Sequence, residues 1–280
     1  MVAINTRKTS SIRHLFANFL VIVSVATVSF WIGFNEGKTE GTVKSTAISN
    51  EENIATVKKE GEAVGDHPFL WNGETLFNEA ARSLFPITDK VTGHKYQIMY
   101  GQYLMPYYHL HPNMKMLEIG LGCNMWYGPG ASVALWRKIF PQAEVWEAEF
   151  DEECVNKKKD DLKGINVMTG DQSNNADLDR WIVESGGNFD VIIDDGGHSS
   201  CQMWASFQKL WPTVKKGGYY FIEDMQLAKH LRQPTLTCGK DLIFTEKIKE
   251  IFEQLIFGKR GKTDIKFMFC QSEACVLGKK

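Results

Sequence analysis

From Lys115 onward the chain alternates two kinds of segment. Short apolar runs, KMLEIG (115–120), EVWEAEF (144–150), INVMT (165–169), DVIID (190–194) and GYYFIED (218–224), have the length and side-chain content of buried strands. Between them lie ASVALWRKIF, DEECVNKKKDDL, DLDRWIVESG and SCQMWASFQKLWPTV, which read as helices. EKIKEIFEQLIF places Ile248, Ile251, Phe252, Leu255 and Ile256 on one helical face. Ahead of these, GETLFNEAARSLF sets Leu76, Ala80 and Leu84 at helical spacing, and the final DIKFMFCQSEACVLGKK is two short runs around a polar turn, a hairpin. Regular β-α-β alternation predicts a parallel sheet with helices on both faces. The hairpin adds an antiparallel strand at one edge. Ligands in such sheets bind beyond the carboxyl ends of the strands, at the topological switch point. The strand ends are therefore where chemistry belongs.

The N-terminal quarter follows a different pattern. Leu15 to Phe34 is about 20 residues without a charge, the length that crosses a bilayer. Arg7, Lys8 and Arg13 precede it, so the positive-inside rule keeps residues 1–14 cytosolic. The segment is long for a cleaved signal and ends in Phe-Trp-Ile-Gly-Phe, which favours an uncleaved signal anchor over 15–34. Residues 35–65 are rich in Glu, Lys, Gly, Thr and Ser and poor in large apolar groups, the composition of a disordered stem. Residues 66–280 then form the domain. This layout predicts a single-pass type II membrane protein of the secretory pathway, in the Golgi or endoplasmic reticulum, with a lumenal domain. Cleavage of the anchor would secrete it.

Composition adds little beyond this. The 280 residues carry a formal net charge of -2, which gives no general electrostatic reason for a nucleic-acid partner. Six cysteines are scattered without a C-x-x-C pair, so a structural zinc site is not expected. Most read as buried free thiols. Cys270 and Cys275 are near enough to staple the hairpin in an oxidising compartment. A homo-oligomer is compatible with the chain.

The strand ends carry the candidate chemistry. The first runs LEIGLGCNMWYGPG, where Gly120 and Gly122 let the backbone turn sharply and approach a ligand. A dinucleotide loop of G-x-G-x-x-G form would need a third glycine at position 125, which is Met125. The E-x-G-x-G arrangement, with Glu118 two residues before the first glycine, is instead the pattern of class I S-adenosylmethionine-dependent methyltransferases. Glu149, at the end of the second strand, is placed to accept the hydroxyls of an adenosyl ribose, with Glu147 on the same face as the fallback. After the third strand, Asp171 and Gln172 are within reach of an adenine amino group. The fourth strand ends in Asp194 and Asp195 and the fifth in Glu223 and Asp224. Clustered carboxylates repel unless a cation neutralises them. A hard divalent ion with oxygen ligands, Mg2+ foremost, meets that need. His198, three residues past Asp195, is placed as a general base beside such an ion.

Taken together, DKVTGHKYQIMY (89–100), LEIGLG, GDQSN, VIIDDGGH and YYFIEDMQ resemble class I methyltransferases of the macrolide-sugar type, the mycinamicin- and macrocin-like O-methyltransferases, from about Thr88 to Leu277. The resemblance implies a Rossmann-like fold with a mostly parallel seven-stranded sheet. It also implies Mg2+-dependent transfer of a methyl group from S-adenosylmethionine to a sugar hydroxyl. It assigns the metal to Asp195, Glu223 and Asp224 and the base to His198, and leaves Asp194 with the cofactor. Asp89, Lys90, His94 and Tyr96, a loop on pattern alone, match a segment that closes over the cofactor, with Lys90 and Tyr96 among its contacts. The acceptor is a sugar, a glycan or another hydroxylated small molecule. A type II layout is shared by many glycan-modifying enzymes, a likeness of layout only. The competing readings are a catechol or protein methyltransferase on the same fold, a cofactor-binding module without catalysis, and an NAD-dependent oxidoreductase, against which Met125 argues.

Overall fold

The computed structural model describes residues 72–229, 242–258 and 263–280. In chain order the elements begin with α1 (Gly73–Arg82), α2 (Asp89–Thr92), α3 (Gln97–Met99), a π-helical turn (Tyr100–Leu104) and α4 (Met105–Leu110). The alternating part follows: β1 (Lys115–Ile119), α5 (Ala131–Ile139), β2 (Glu144–Glu149), α6 (Glu152–Lys158), β3 (Asn166–Thr169), α7 (Asn175–Ser185), β4 (Phe189–Asp194), α8 (Ser200–Leu210) and β5 (Val214–Ile222). The chain closes with α9 (Phe244–Phe257), β6 (Ile265–Cys270) and β7 (Cys275–Lys279).

The seven strands form one sheet in the order β3-β2-β1-β4-β5-β7-β6. β1 pairs in parallel with both β2 and β4, so the switch point lies between β1 and β4. β7 runs antiparallel between β5 and β6, as the terminal hairpin predicts. β5 starts four residues earlier than its sequence pattern suggests. Val214 is buried and pairs with Phe189, but the exposed Lys215–Gly217 hide the strand.

Side-chain alternation explains why β4 is an unbroken apolar run. Ile192 points to one face, where it packs with Leu178 and Trp181 of α7, Met203 and Phe207 of α8, and Phe244 and Ile248 of α9. Val191 and Ile193 point to the other, among Phe77 of α1, Tyr100 of the π turn, and Leu135 and Trp136 of α5. A strand covered on both faces has no solvent side to show polar residues. The segment read as loop ahead of the sheet is in fact the helical cover of this second face. Its helices are short, four residues in α2 and three in α3, and a π turn follows them, so no long helical period marks the segment.

The tail, anchor and stem expected over 1–14, 15–34 and 35–65 lie outside the described residues. Among the described residues no helix is long and apolar enough to cross a membrane.

The cysteine reading is corrected. Cys123 is bonded to Cys154 and Cys270 to Cys275. Cys201 is also disulfide-bonded, and none of the described cysteines is a free thiol. Spacing along the chain concealed the first bridge, because its halves are 31 residues apart and meet only through the parallel pairing of β1 with β2.

Candidate active site

A cavity of about 680 Å3 opens at the carboxyl ends of β1 to β5. Gly120, Gly122, Glu149, Asp171, Gln172, Asp195, His198 and Asp224 all line it. Gly120 has φ +107°, and a Cβ there would collide with the carbonyl oxygen of Asp195. The exits of β1 and β4 therefore touch, which only glycine permits.

Two of the expected cofactor contacts are held firmly at the cavity wall. Glu149 Oε2 accepts from the Leu121 N–H and Oε1 from the Asp151 N–H, both at 3.0 Å. Its carboxylate thus spans from the glycine loop to the start of α6. Asp171 Oδ1 accepts from the backbone and hydroxyl of Ser173, each at 2.8 Å, which fixes the turn after β3.

Gln172 and Asp194 form a strut. Gln172 Oε1 accepts from the Gly197 N–H at 2.7 Å, and its Nε2 donates to Asp194 Oδ1 at 2.9 Å. Asp194 also accepts from the Tyr220 hydroxyl at 3.0 Å and from Ser206. Asp194, expected at the cofactor, is fully buried and does not itself line the cavity. As the last residue of β4 it points beneath α8, on the face opposite Asp195. Burial pushes its carboxyl above the usual range although three donors pull it down.

The remaining acids are organised by Lys90. Its side chain is 1% exposed, and its Nζ lies 2.6 Å from Asp195, 2.7 Å from Glu223 and 3.2 Å from Glu118. Lys90, expected at the cofactor, does not itself line the cavity, although its neighbours Thr88 and Asp89 do. It supplies the positive charge that the sequence reading had given to a metal alone. Glu118 is likewise off the cavity. It accepts from Trp136 Nε1 at 2.7 Å as well as pairing with Lys90. Glu223 has one oxygen on Lys90 and the other on the Tyr100 hydroxyl. Expected as a metal ligand, it does not itself line the cavity.

Glu147 is completely buried beside Glu118, its register partner across β1 and β2. Neither of its oxygens meets an N–H or O–H donor. Burial, and then the neighbouring Glu118, push its carboxyl well above the carboxylate range. The folded chain thus holds the Glu147 proton more tightly than the unfolded one. A carboxyl raised on folding stabilises fully below its unfolded pKa, about 4.3, and loses that contribution as pH rises toward the folded value. Glu147→Gln removes this titration. Urea denaturation at pH 5, 6 and 7 should show the variant gaining on wild type by up to about 1.4 kcal/mol per pH unit. A constant difference across that range contradicts the raised carboxyl.

His198, Asp195 and Asp224 converge at the cavity floor. His198 Nε2 is 3.9 Å from Asp195 and 3.6 Å from Asp224. One ligand atom from each of the three lies within 4.8 Å of the others. His198 and Asp224 both sit in the left-handed backbone region, at φ +56° and +53°. Such conformations are disfavoured for residues with a Cβ and cluster at functional sites. Burial raises the Asp224 carboxyl, but the Tyr96 hydroxyl and the His198 and His94 rings outweigh it and hold the group below its usual range. Asp195 is pushed up to about 6 by burial, against the pull of Lys90 and His198. Two carboxylates and an imidazole at this spacing fit a hard divalent cation, with Asp195 and Asp224 as oxygen donors.

Tyr96, expected at the cofactor, instead donates to Asp224 Oδ1 at 2.7 Å, and it too is absent from the cavity wall. His94 stacks on Tyr96 and bridges Asp224, at 3.5 Å, to Glu273, at 2.7 Å. Glu273 comes from the β6–β7 turn, and sequence reasoning missed it along with Tyr100 and Trp136. Nothing local marks Glu273, because its partner is 179 residues away.

Comparisons with known proteins bear on the fold and the sequence. A structure of the MycE methyltransferase from the mycinamycin pathway, in complex with Mg, SAH and mycinamycin VI, superposes at a TM-score of 0.60 with 25% identity. It covers 72% of this chain and 54% of that one. The chain has the class I methyltransferase fold. In sequence it resembles the macrolide-sugar O-methyltransferases. It is 36% identical over 117 residues to the mycinamicin VI 2''-O-methyltransferase of Micromonospora griseorubida, 41% of this chain and 28% of that protein. It is 33% identical over 121 residues to the 8-demethyl-8-(2-methoxy-alpha-L-rhamnosyl)-tetracenomycin-C 3'-O-methyltransferase of Streptomyces olivaceus, 42% of this chain and 29% of that protein. The chain thus matches less than a third of the length of these relatives. No family model matches it. These relatives are bacterial, and no membrane-spanning helix occurs among the described residues. The expected residence in the endoplasmic reticulum or Golgi as a type II membrane protein is corrected on these two findings.

Proposed function

We propose that residues 66–280 form an S-adenosylmethionine- and Mg2+-dependent O-methyltransferase acting on a hydroxyl of a sugar or similar small molecule. The observation that carries this reading is one cavity wall holding both the glycine loop with Glu149 and the Asp195–His198–Asp224 group. Similarity to enzymes named for methylating sugar hydroxyls supports the acceptor class.

Each residue has a part in that reading. The backbone of Gly120–Gly122 flanks the methionine portion of the cofactor. Glu149 accepts the ribose hydroxyls, and Asp171 and Gln172 close the adenine end. S-adenosylmethionine, when bound, supplies a methyl group on a sulfonium, open to attack by an oxygen lone pair. Mg2+, when bound at Asp195 and Asp224, supplies charge that makes an alcohol easier to deprotonate. Glu223 stays beside them, aligned through Lys90. His198 Nε2 takes the hydroxyl proton as the oxygen–methyl bond forms and the carbon–sulfur bond breaks. Gln172, by holding the Gly197 N–H, keeps the His198 turn in place.

Calorimetry of the full chain with S-adenosylmethionine, with Mg2+ and with a chelator, tests the reading. Micromolar binding is expected, weakened by about 1–3 kcal/mol in Glu149→Ala, the cost of leaving buried polar partners unpaired. No binding under either condition overturns it.

A further inference from the structure

We infer that the Cys123–Cys154 disulfide positions the two walls of the cofactor cavity. The affinity for the cofactor then depends on that bond while the fold does not. The inference rests on the cofactor reading proposed above.

Cys123 lies in the glycine loop after β1 and lines the cavity. Cys154 lies in α6, directly after Glu149, Phe150 and Asp151, which line the facing wall. The bond joins the two walls at a Cα–Cα distance of 6.1 Å. Arg137 of α5 donates to the carbonyls of Asp161 and Lys163 and so fixes the chain beyond α6, but the helix itself has few ties. The helix has no buried residue, and its sequence, EECVNKK, offers one apolar side chain. That residue, Val155, packs against a small cluster of Leu121, Val133 and Leu162. Asp151 caps the helix by accepting from the Cys154 N–H at 2.9 Å, a contact within the same segment. The strand ends themselves are tied by the Gly120 N–H donating to the Ala148 carbonyl at 2.8 Å and by the Leu121 N–H donating to Glu149, but neither bond reaches α6. A seven-residue helix without a buried face is not stable by propensity alone. The two large cores contain neither cysteine, so they do not depend on the bridge.

Reduction by dithiothreitol breaks the sulfur–sulfur bond. Two electrons and two protons pass to the cysteines, giving two thiols, and the reagent leaves as its cyclic disulfide. The α6 segment then loses its anchor. Glu149 keeps its strand but loses the fixed Asp151 N–H, and the cavity is no longer shaped in advance.

The test is calorimetry of the full chain with S-adenosylhomocysteine, with circular dichroism in the near and far ultraviolet as the fold readout. C123S/C154S should bind at least tenfold more weakly with native-like spectra, and dithiothreitol should weaken its binding no further at the cavity. C270S/C275S, which removes a bridge away from the cavity wall, should bind within twofold of wild type. Should C123S/C154S fail to fold, C123A/C154A carries the same test, with the same tenfold weakening as the expected result. Binding by folded C123S/C154S or C123A/C154A within twofold of wild type overturns the inference alone. Absence of binding by oxidised wild type overturns it together with the functional reading.

Discussion

Lys90→Met should destabilise the domain by about 3–5 kcal/mol at pH 7, as expected when one partner of a buried ion pair is removed. Methionine keeps the volume of the stem but leaves Asp195, Glu223 and Glu118 facing one another without a cation. The loss should shrink as pH falls. Glu223 is already well above the carboxylate range, pushed up by burial and by Asp195, and Asp195 stands at about 6 with the ammonium beside it. Without Lys90 both rise further, so as pH falls protons replace the missing charge. Urea denaturation at pH 7.5 and 5.5 gives both values. A difference below about 1 kcal/mol at the higher pH would mean that Lys90 is not the counter-charge of this cluster.

The second large effect is on turnover. His198→Ala should lower the rate of methyl transfer to a sugar hydroxyl by about 10²–10⁴-fold, the usual contribution of a general base. S-adenosylhomocysteine affinity should stay within about threefold of wild type, because His198 is not among the residues proposed to hold the cofactor. Transfer from S-adenosylmethionine labelled in its methyl group, to a deoxysugar glycoside and to a catechol in parallel, measures it. Catechol oxygens are acidic enough to react without a strong base. Retained activity on the catechol with none on the glycoside in either protein would favour the catechol reading and falsify the sugar one.

Much of the fold is legible along the chain because it is written in local alternation. VIIDD, with apolar residues facing both ways, requires a strand covered on two sides, and the amphipathic stretches between strands supply the cover. The glycines at 120 and 122 and the acids at 149, 171, 195 and 224 fall at the cavity because strand ends are set by the same pattern. The approximate place of the site therefore follows from sequence.

The partners of each acid do not. Lys90 stands 105 residues from Asp195 and 133 from Glu223, and only the packing of α2 against the sheet brings its ammonium between them. The direction of a strand's last side chain divides Asp194, turned under α8, from Asp195, turned to the cavity. Adjacent residues of like charge cannot be told apart until each face has its cover. The Cys123–Cys154 bridge and the Glu273–His94–Asp224 contact are non-local in the same way. Sequence by itself determined the order of elements and the acids at their ends, because period and turn chemistry act within a few residues. The tertiary structure decided which charge meets which, because in a buried cluster that depends on distances set by elements far apart in the chain.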